Sequence, residues 1–180
     1  MDGGPTTRIL ESSQKAEFAP PDQLMFARND ALFTQSFDPA SRQLSGEPTT
    51  LVARVSSATN YVVASNRAEF SVSNTGVLMF VHGATGRGEL ELGIYDRAGR
   101  RQARIGLANY MGVELSPDGN SLAAHRHTSD GGDLWISDLD KGSDRRFTFE
   151  PSEDASSPVW SPDGSMIAFG ALRKGRWGVS

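Results

Sequence analysis

The sequence contains no cysteine, which excludes disulfides, thiolate metal sites and cysteine nucleophiles. It has no apolar run of the length that spans a bilayer as a helix. The opening stretch MDGGPTTRILESSQ has neither a basic n-region nor an apolar h-region, so it does not read as a signal peptide. Positive charge is also scarce. Eighteen Lys and Arg face 22 Asp and Glu, for a net charge of -4, which argues against a nucleic-acid surface. The one dense basic group, RAGRRQAR from Arg97 to Arg104, reads as a solvated turn. Helical periodicity is missing as well: nowhere do apolar residues recur at i, i+3, i+4 and i+7.

What the chain has in abundance is turn chemistry. Nineteen glycines and nine prolines separate short β-like runs at 24–28, 31–37, 76–82, 90–96, 133–138 and 166–170. Several of these runs are apolar on both parities, which suits strands buried on both faces in a stack of sheets.

Two stretches nearly repeat each other: VELSPDGNSLAAH from Val113 to His125 and PVWSPDGSMIAFG from Pro158 to Gly170. Ser116-Pro117-Asp118-Gly119 and Ser161-Pro162-Asp163-Gly164 both satisfy a tight turn position by position. Serine favours the first place, proline presets φ at the second, and glycine accepts the place after the turn. These eight residues are therefore expected to be structural turns between two strands, with no catalytic role. FSVSNTGVLMF (70–80) is a further copy, and EFAPPDQLMF (17–26) a worn one. GIYDRAGRRQARIG (93–106) parallels WISDLDKGSDRRFT (135–148), with Asp96 matching Asp138. A period of roughly 40 to 45 residues, with four strands per unit, is the signature of β-propeller blades.

The expected architecture is all-β, a β-propeller segment of about four four-stranded blades, part of a larger ring. Residues 1–10 are expected to be the last strand of a preceding blade. Blades follow at 14–53, 66–106 and 107–148, with an incomplete blade at 149–180. The first blade's fourth strand is placed near 48–53. In a small closed ring, Arg8-Ile9-Leu10 would instead pair with the strand near Trp177. Remaining blades would come from a longer parent chain or a second copy.

These residues resemble the TolB-like, WD-like propeller repeats. The matching positions are Trp160-Ser161-Pro162-Asp163-Gly164 with Ile167-Ala168-Phe169 and Gly175-Arg176-Trp177, and Ser116 to Gly119 with Asp133-Leu134-Trp135-Ile136. The stretch from Leu24 to Pro48 is similar to the C-terminal propeller of bacterial membrane-bound serine/threonine kinases. The resemblance implies a non-catalytic binding or sensor scaffold in the periplasm or outside the cytoplasmic membrane, recognising a protein or small ligand. The alternative is the propeller portion of a larger enzyme, a receptor-type kinase or a prolyl-oligopeptidase-type peptidase. This chain has no Gly-rich loop with a following lysine, no His-Arg-Asp loop and no G-x-S-x-G elbow, so no enzymatic activity, cofactor or catalytic residue is assigned to it.

His125 and His127 share a strand face and could offer two imidazoles to a metal, but no third ligand accompanies them. DLDKGSD (138–144) is faintly like a calcium loop, yet Phe149 stands where the bidentate Glu belongs. It is read as a hairpin turn. Gly-rich GATGRGELELG (83–93) lacks the phosphate-loop pattern. Trp135, Trp160 and Trp177 are expected to pack blade against blade. The acidic stretch 150–158 is expected to link two blades near a channel mouth.

Overall fold

The computed structural model describes residues 7–12, 14–29, 31–53, 55, 70–82, 91–96, 99–105, 110–128, 131–149 and 154–180. Every regular element among them is a strand. The first sheet is built from β1 (Ala16–Ala19), β2 (Gln23–Arg28), β3 (Ala31–Asp38) and β4 (Gln43–Val52). The second holds β5 (Phe70–Val72), β6 (Leu78–His82), β7 (Glu91–Tyr95) and β8 (Arg101–Ile105). The third holds β9 (Tyr110–Leu115), β10 (Ser121–Thr128), β11 (Gly131–Asp138) and β12 (Ser143–Arg146). The fourth has three strands, β13 (Asp154–Trp160), β14 (Ile167–Arg173) and β15 (Arg176–Val179). Each sheet is an antiparallel meander in chain order.

The two-parity apolar pattern explains why these sheets stack. In β6, Leu78 and Phe80 point to the first sheet, where they join Ala19, Met25, Ala27, Leu32 and Phe70 in one core. Met79 and Val81 point the other way, to a second core with Val113, Leu115, Leu122 and Ala124 of the third sheet. Successive side chains on a strand alternate faces, so Leu78 to Val81 fill two seams at once. The third seam joins the third and fourth sheets. Phe147 meets Phe169 edge to face with centroids 6.3 Å apart, and Ala171 is buried there. The first strands of the sheets lie side by side in succession, β1 against β5, β5 against β9 and β9 against β13. The sheets are the blades of a β-propeller, with β1, β5, β9 and β13 innermost.

Two expectations need correction. The first sheet's last strand begins at Gln43, not near residue 48, because Asp38 closes a tight turn. Its Oδ1 accepts from the Ala40 amide at 2.9 Å and its Oδ2 accepts from Ser41 Oγ at 2.6 Å, while Arg42 takes φ +58°. Residues 7–10 form no strand. The chain there is instead drawn toward the end of β2: Ser12 Oγ donates to the Ala27 carbonyl at 2.9 Å, and an Arg28 guanidinium nitrogen donates to the Glu11 carbonyl at 3.4 Å. Residues 1–6 lie outside the described residues.

Candidate functional site: the junction of the inner strands

Ser116 and Ser161 each anchor the turn between the first two strands of their sheet. Gly119 N donates to the Ser116 carbonyl and Gly164 N to the Ser161 carbonyl, both at 2.9 Å. Gly119 and Gly164 have φ of +79° and +72°, a region that favours glycine. The serine hydroxyls accept from the amides of Ser121 and Met166 at 2.9 Å and donate to Asp118 Oδ1 and Asp163 Oδ1 at 2.5 Å. These bonds hold both carboxyls below the usual range, Asp163 at about 2, with the serine hydroxyl as the chief cause in each. Ser73 repeats the arrangement with Thr75 in the aspartate's place, 2.9 Å away.

These turns also touch one another. Asn74 N donates to the Pro117 carbonyl at 3.0 Å, and Thr75 Oγ1 donates to the Asp118 carbonyl at 3.1 Å. They fasten neighbouring blades at one rim, and their polar groups are consumed in doing so. On the same rim, an open cleft of about 440 Å³ is lined by Thr75, Val77, Ile94, Asp96 and Gln102. Asp96 there accepts from the amide and Nε of Arg100, at 2.9 and 2.8 Å, and from Gln102 at 3.1 Å.

A different group gathers where the inner strands meet. Lys15 Nζ donates to the Phe70 carbonyl at 2.8 Å, to Glu17 Oε1 at 2.6 Å and to Glu114 Oε2 at 3.0 Å. Glu17 Oε2 accepts from Val72 N at 2.9 Å. The three side chains come from the first and third sheets and close over the second, and the ammonium lies 5.3 Å from the centre of the Phe70 ring. They remain in reach of solvent, at 25, 16 and 24% exposure for Lys15, Glu17 and Glu114. With two carboxylates and one ammonium in a half-buried space, the charge does not balance. Burial lifts the Glu17 carboxyl from 4.5 to about 7, against the pull of Lys15 and with a push from Glu114. The Lys15 amine is raised despite its burial, by Glu17 first and then Glu114.

Sequence reasoning missed this cluster. The available signal was a carboxylate in the middle of a short apolar first strand, AEFA in β1 and YMGVEL in β9. The cluster has company: Ser71 Oγ accepts from Leu115 N at 3.0 Å between the second and third sheets, and Trp160 Nε1 donates to the Glu114 carbonyl at 3.1 Å.

The other candidates disperse. His125 is buried in β10, facing the fourth sheet's side of the third. His127 follows on the same strand, but its side chain lies outside the described residues. Among the described residues, no three His, Asp or Glu side chains gather as a metal site. Asp138 caps the β11–β12 turn, accepting from the amides of Asp140 and Lys141 and from Lys141 Nζ. Trp160 and the half-buried Trp135 sit at seams. Trp177 does not: it is 51% exposed, because β15 directs it away from the third sheet. The segments 83–90 and 150–153 lie outside the described residues.

No protein-family model and no curated protein sequence matches the chain. Solved structures do. TolB from Acinetobacter baumannii aligns over 88% of this chain and 37% of its own, with a TM-score of 0.63 and 16% identity. The assigned TolB of Agrobacterium tumefaciens aligns over 91% of this chain and 55% of its own, with a TM-score of 0.65 and 20% identity. The fold is that of TolB-like β-propellers. The Cps50 (Swd1) propeller domain of Myceliophteria thermophila is similar too, over 97% of this chain and 54% of its own, with a TM-score of 0.57 and 17% identity. The chain thus spans less than two thirds of each of these structures.

Proposed function

We propose that this TolB-like propeller segment is a non-catalytic recognition scaffold that receives a cationic group of a partner at the junction of its inner strands. The observation that carries the reading is the bonding of the Lys15–Glu17–Glu114 cluster. All three protons of the Lys15 ammonium are spent on Phe70, Glu17 and Glu114, so it is tied as a fixed charge and not held as a free base or nucleophile. Both Glu17 oxygens are engaged as well. Glu114 Oε1 accepts no hydrogen bond from the described residues, which leaves an acceptor for an incoming donor. Fixed, partly desolvated charge of this kind selects partners by electrostatic complementarity, and the chain's net charge of -4 steers toward the same sign of partner. The resemblance to propellers of membrane-bound kinases extends the proposal to a sensor module outside the cytoplasmic membrane.

The test is binding of short peptides graded in charge, followed by fluorescence anisotropy. Lysine- or arginine-containing peptides should bind in a salt-dependent manner, with about tenfold loss in Glu114→Gln, the size of one charge-assisted bond. Equal binding by variant and parent, or a preference for acidic peptides, would overturn the reading.

A further inference from the structure

We infer that capture of a cationic group at the inner-strand junction is coupled to a proton: the partner's cation displaces a proton from the Glu17–Glu114 pair, so the junction lets its partner go as the pH falls. This rests on that junction's being a receptor for such a group, and adds its regulation.

The geometry sets up the competition. One ammonium serves two carboxylates, with Lys15 Nζ 2.6 Å from Glu17 Oε1 and 3.0 Å from Glu114 Oε2. Two oxygens this close to one nitrogen lie within the range over which like charges oppose a second ionisation. Ionised together, the carboxylates leave the cluster one negative charge in excess. A single proton removes that excess, and so does a single cation at the open Glu114 Oε1. Proton and cation therefore answer the same charge and displace each other. The half-buried setting favours the proton, because a desolvated carboxylate is the costlier form. Burial accordingly lifts the Glu17 carboxyl to about 7, against the pull of Lys15 and with the push of Glu114. In so close a pair the proton belongs to both groups.

Few other charges stand near. Met25 of β2 pairs opposite Glu17, and Phe70 and Val72 of β5 meet the cluster through backbone atoms. On β9, YMGVEL carries no charge besides Glu114, and Trp160 of β13 reaches the Glu114 carbonyl with its indole N–H. One further titratable group shares the face of Glu114: register sets Glu114 opposite Ala123, and the buried His125 lies two positions on along β10.

A trilysine peptide with blocked ends is the probe, since its ammonium groups stay charged throughout. Isothermal titration calorimetry on the whole chain at pH 5.5, 6.5 and 8.0 should show affinity rising about tenfold, the least by which a close opposite charge favours an ionised carboxylate. At pH 6.5 about half a proton per chain should be released, read from the dependence of binding heat on the buffer's ionisation enthalpy. Glu17→Gln holds the neutral form permanently. It should bind at every pH as weakly as the parent does at pH 5.5, with no release. If that variant is unfolded by far-UV circular dichroism, Glu17→Met takes its place. Binding that is lost in Glu114→Gln yet equal at all three pH values in the parent, with no proton released, would overturn the coupling and leave the receptor reading standing. A slope or release that persists in Glu17→Gln would assign the proton to another group, His125 first, and overturn it too. No binding at any pH would sink the receptor reading and the coupling with it.

Discussion

Lys15 and Glu114 are joined by a 3.0 Å ion pair although they stand on the first and third sheets. The pair passes over the second sheet, whose Phe70 carbonyl accepts from the same ammonium. Removing the ammonium therefore strands two carboxylates in a space built for a cation. Lys15→Met should cost about 3 kcal/mol of unfolding free energy at pH 8, the range for breaking a buried pair from one side. Adding Glu17→Gln to that variant should return part of the loss. Urea denaturation of the two variants checks this, and a Lys15→Met cost within error of zero would show that the cluster does not bind the sheets together.

Glu17 gives the molecule a pH dependence opposite to that of most carboxylates. Its folded value of about 7 lies above the ordinary 4.5, so the folded state keeps a proton that the unfolded chain has released. The group's contribution is complete below about 4.5, declines as pH rises through the window, and is gone above 7. Urea midpoints should fall between pH 5 and pH 8, and Glu17→Gln should flatten that slope. The lowered aspartates Asp118 and Asp163 act below their ordinary values, and raised Lys15 acts at strongly alkaline pH, so neither masks this window. A slope that is the same in parent and variant would assign the proton elsewhere.

Two glycines of similar backbone should respond differently to alanine. Gly119 and Gly142 have φ of +79° and +64°, and the left-handed conformation alone costs an L-residue about 1–2 kcal/mol. A Cβ on Gly119 would also come within 2.9 Å of Thr75 Oγ1 and 3.0 Å of Ser73 Oγ, whereas one on Gly142 meets nothing within 4 Å. Gly119→Ala should therefore lose at least 1 kcal/mol more than Gly142→Ala, the added cost being that of overpacking a tight contact. Thermal unfolding of both variants decides it.

The two near-identical turn serines should likewise separate. Ser116 is buried at 4% exposure, and its hydroxyl links the Ser121 amide to Asp118. Ser161 makes the same bonds on a more open turn. Ser116→Ala should cost about 1–3 kcal/mol for the orphaned groups it leaves, and Ser161→Ala less, since water can replace it. Equal losses in denaturant melts would mean that the bond itself, and not its burial, sets the cost.

The fold was legible because strand and turn chemistry are local. Ser-Pro-Asp-Gly needs only its own neighbours to turn, and LMFVH shows both buried parities within five residues. Asp38 was harder to read: its turn uses Pro39, Ala40 and Arg42, none of them a glycine, so β4 was placed too late. Residues 7–10 carry the letters of a strand, but pairing depends on which edge is within reach, and that is a property of the assembled sheets. The inner cluster was not legible as a cluster. Lys15 and Glu114 come together through the order of three blades, and neither position announces its partner. Trp177 matched a repeat position, yet burial there requires a further sheet against it.

The abutting turns at one rim divide the molecule into a part that tolerates change of length and a part that does not. Where Asn74 bonds to Pro117 and a Cβ on Gly119 would lie 2.9 Å from Thr75 Oγ1, an added residue would collide with the next blade. At the opposite rim, the fourth sheet's second and third strands are joined by Lys174-Gly175, where a Cβ on Gly175 would meet nothing within 4 Å. New segments grafted at Lys174-Gly175 would enter open space, making it the natural place to give this scaffold a different specificity.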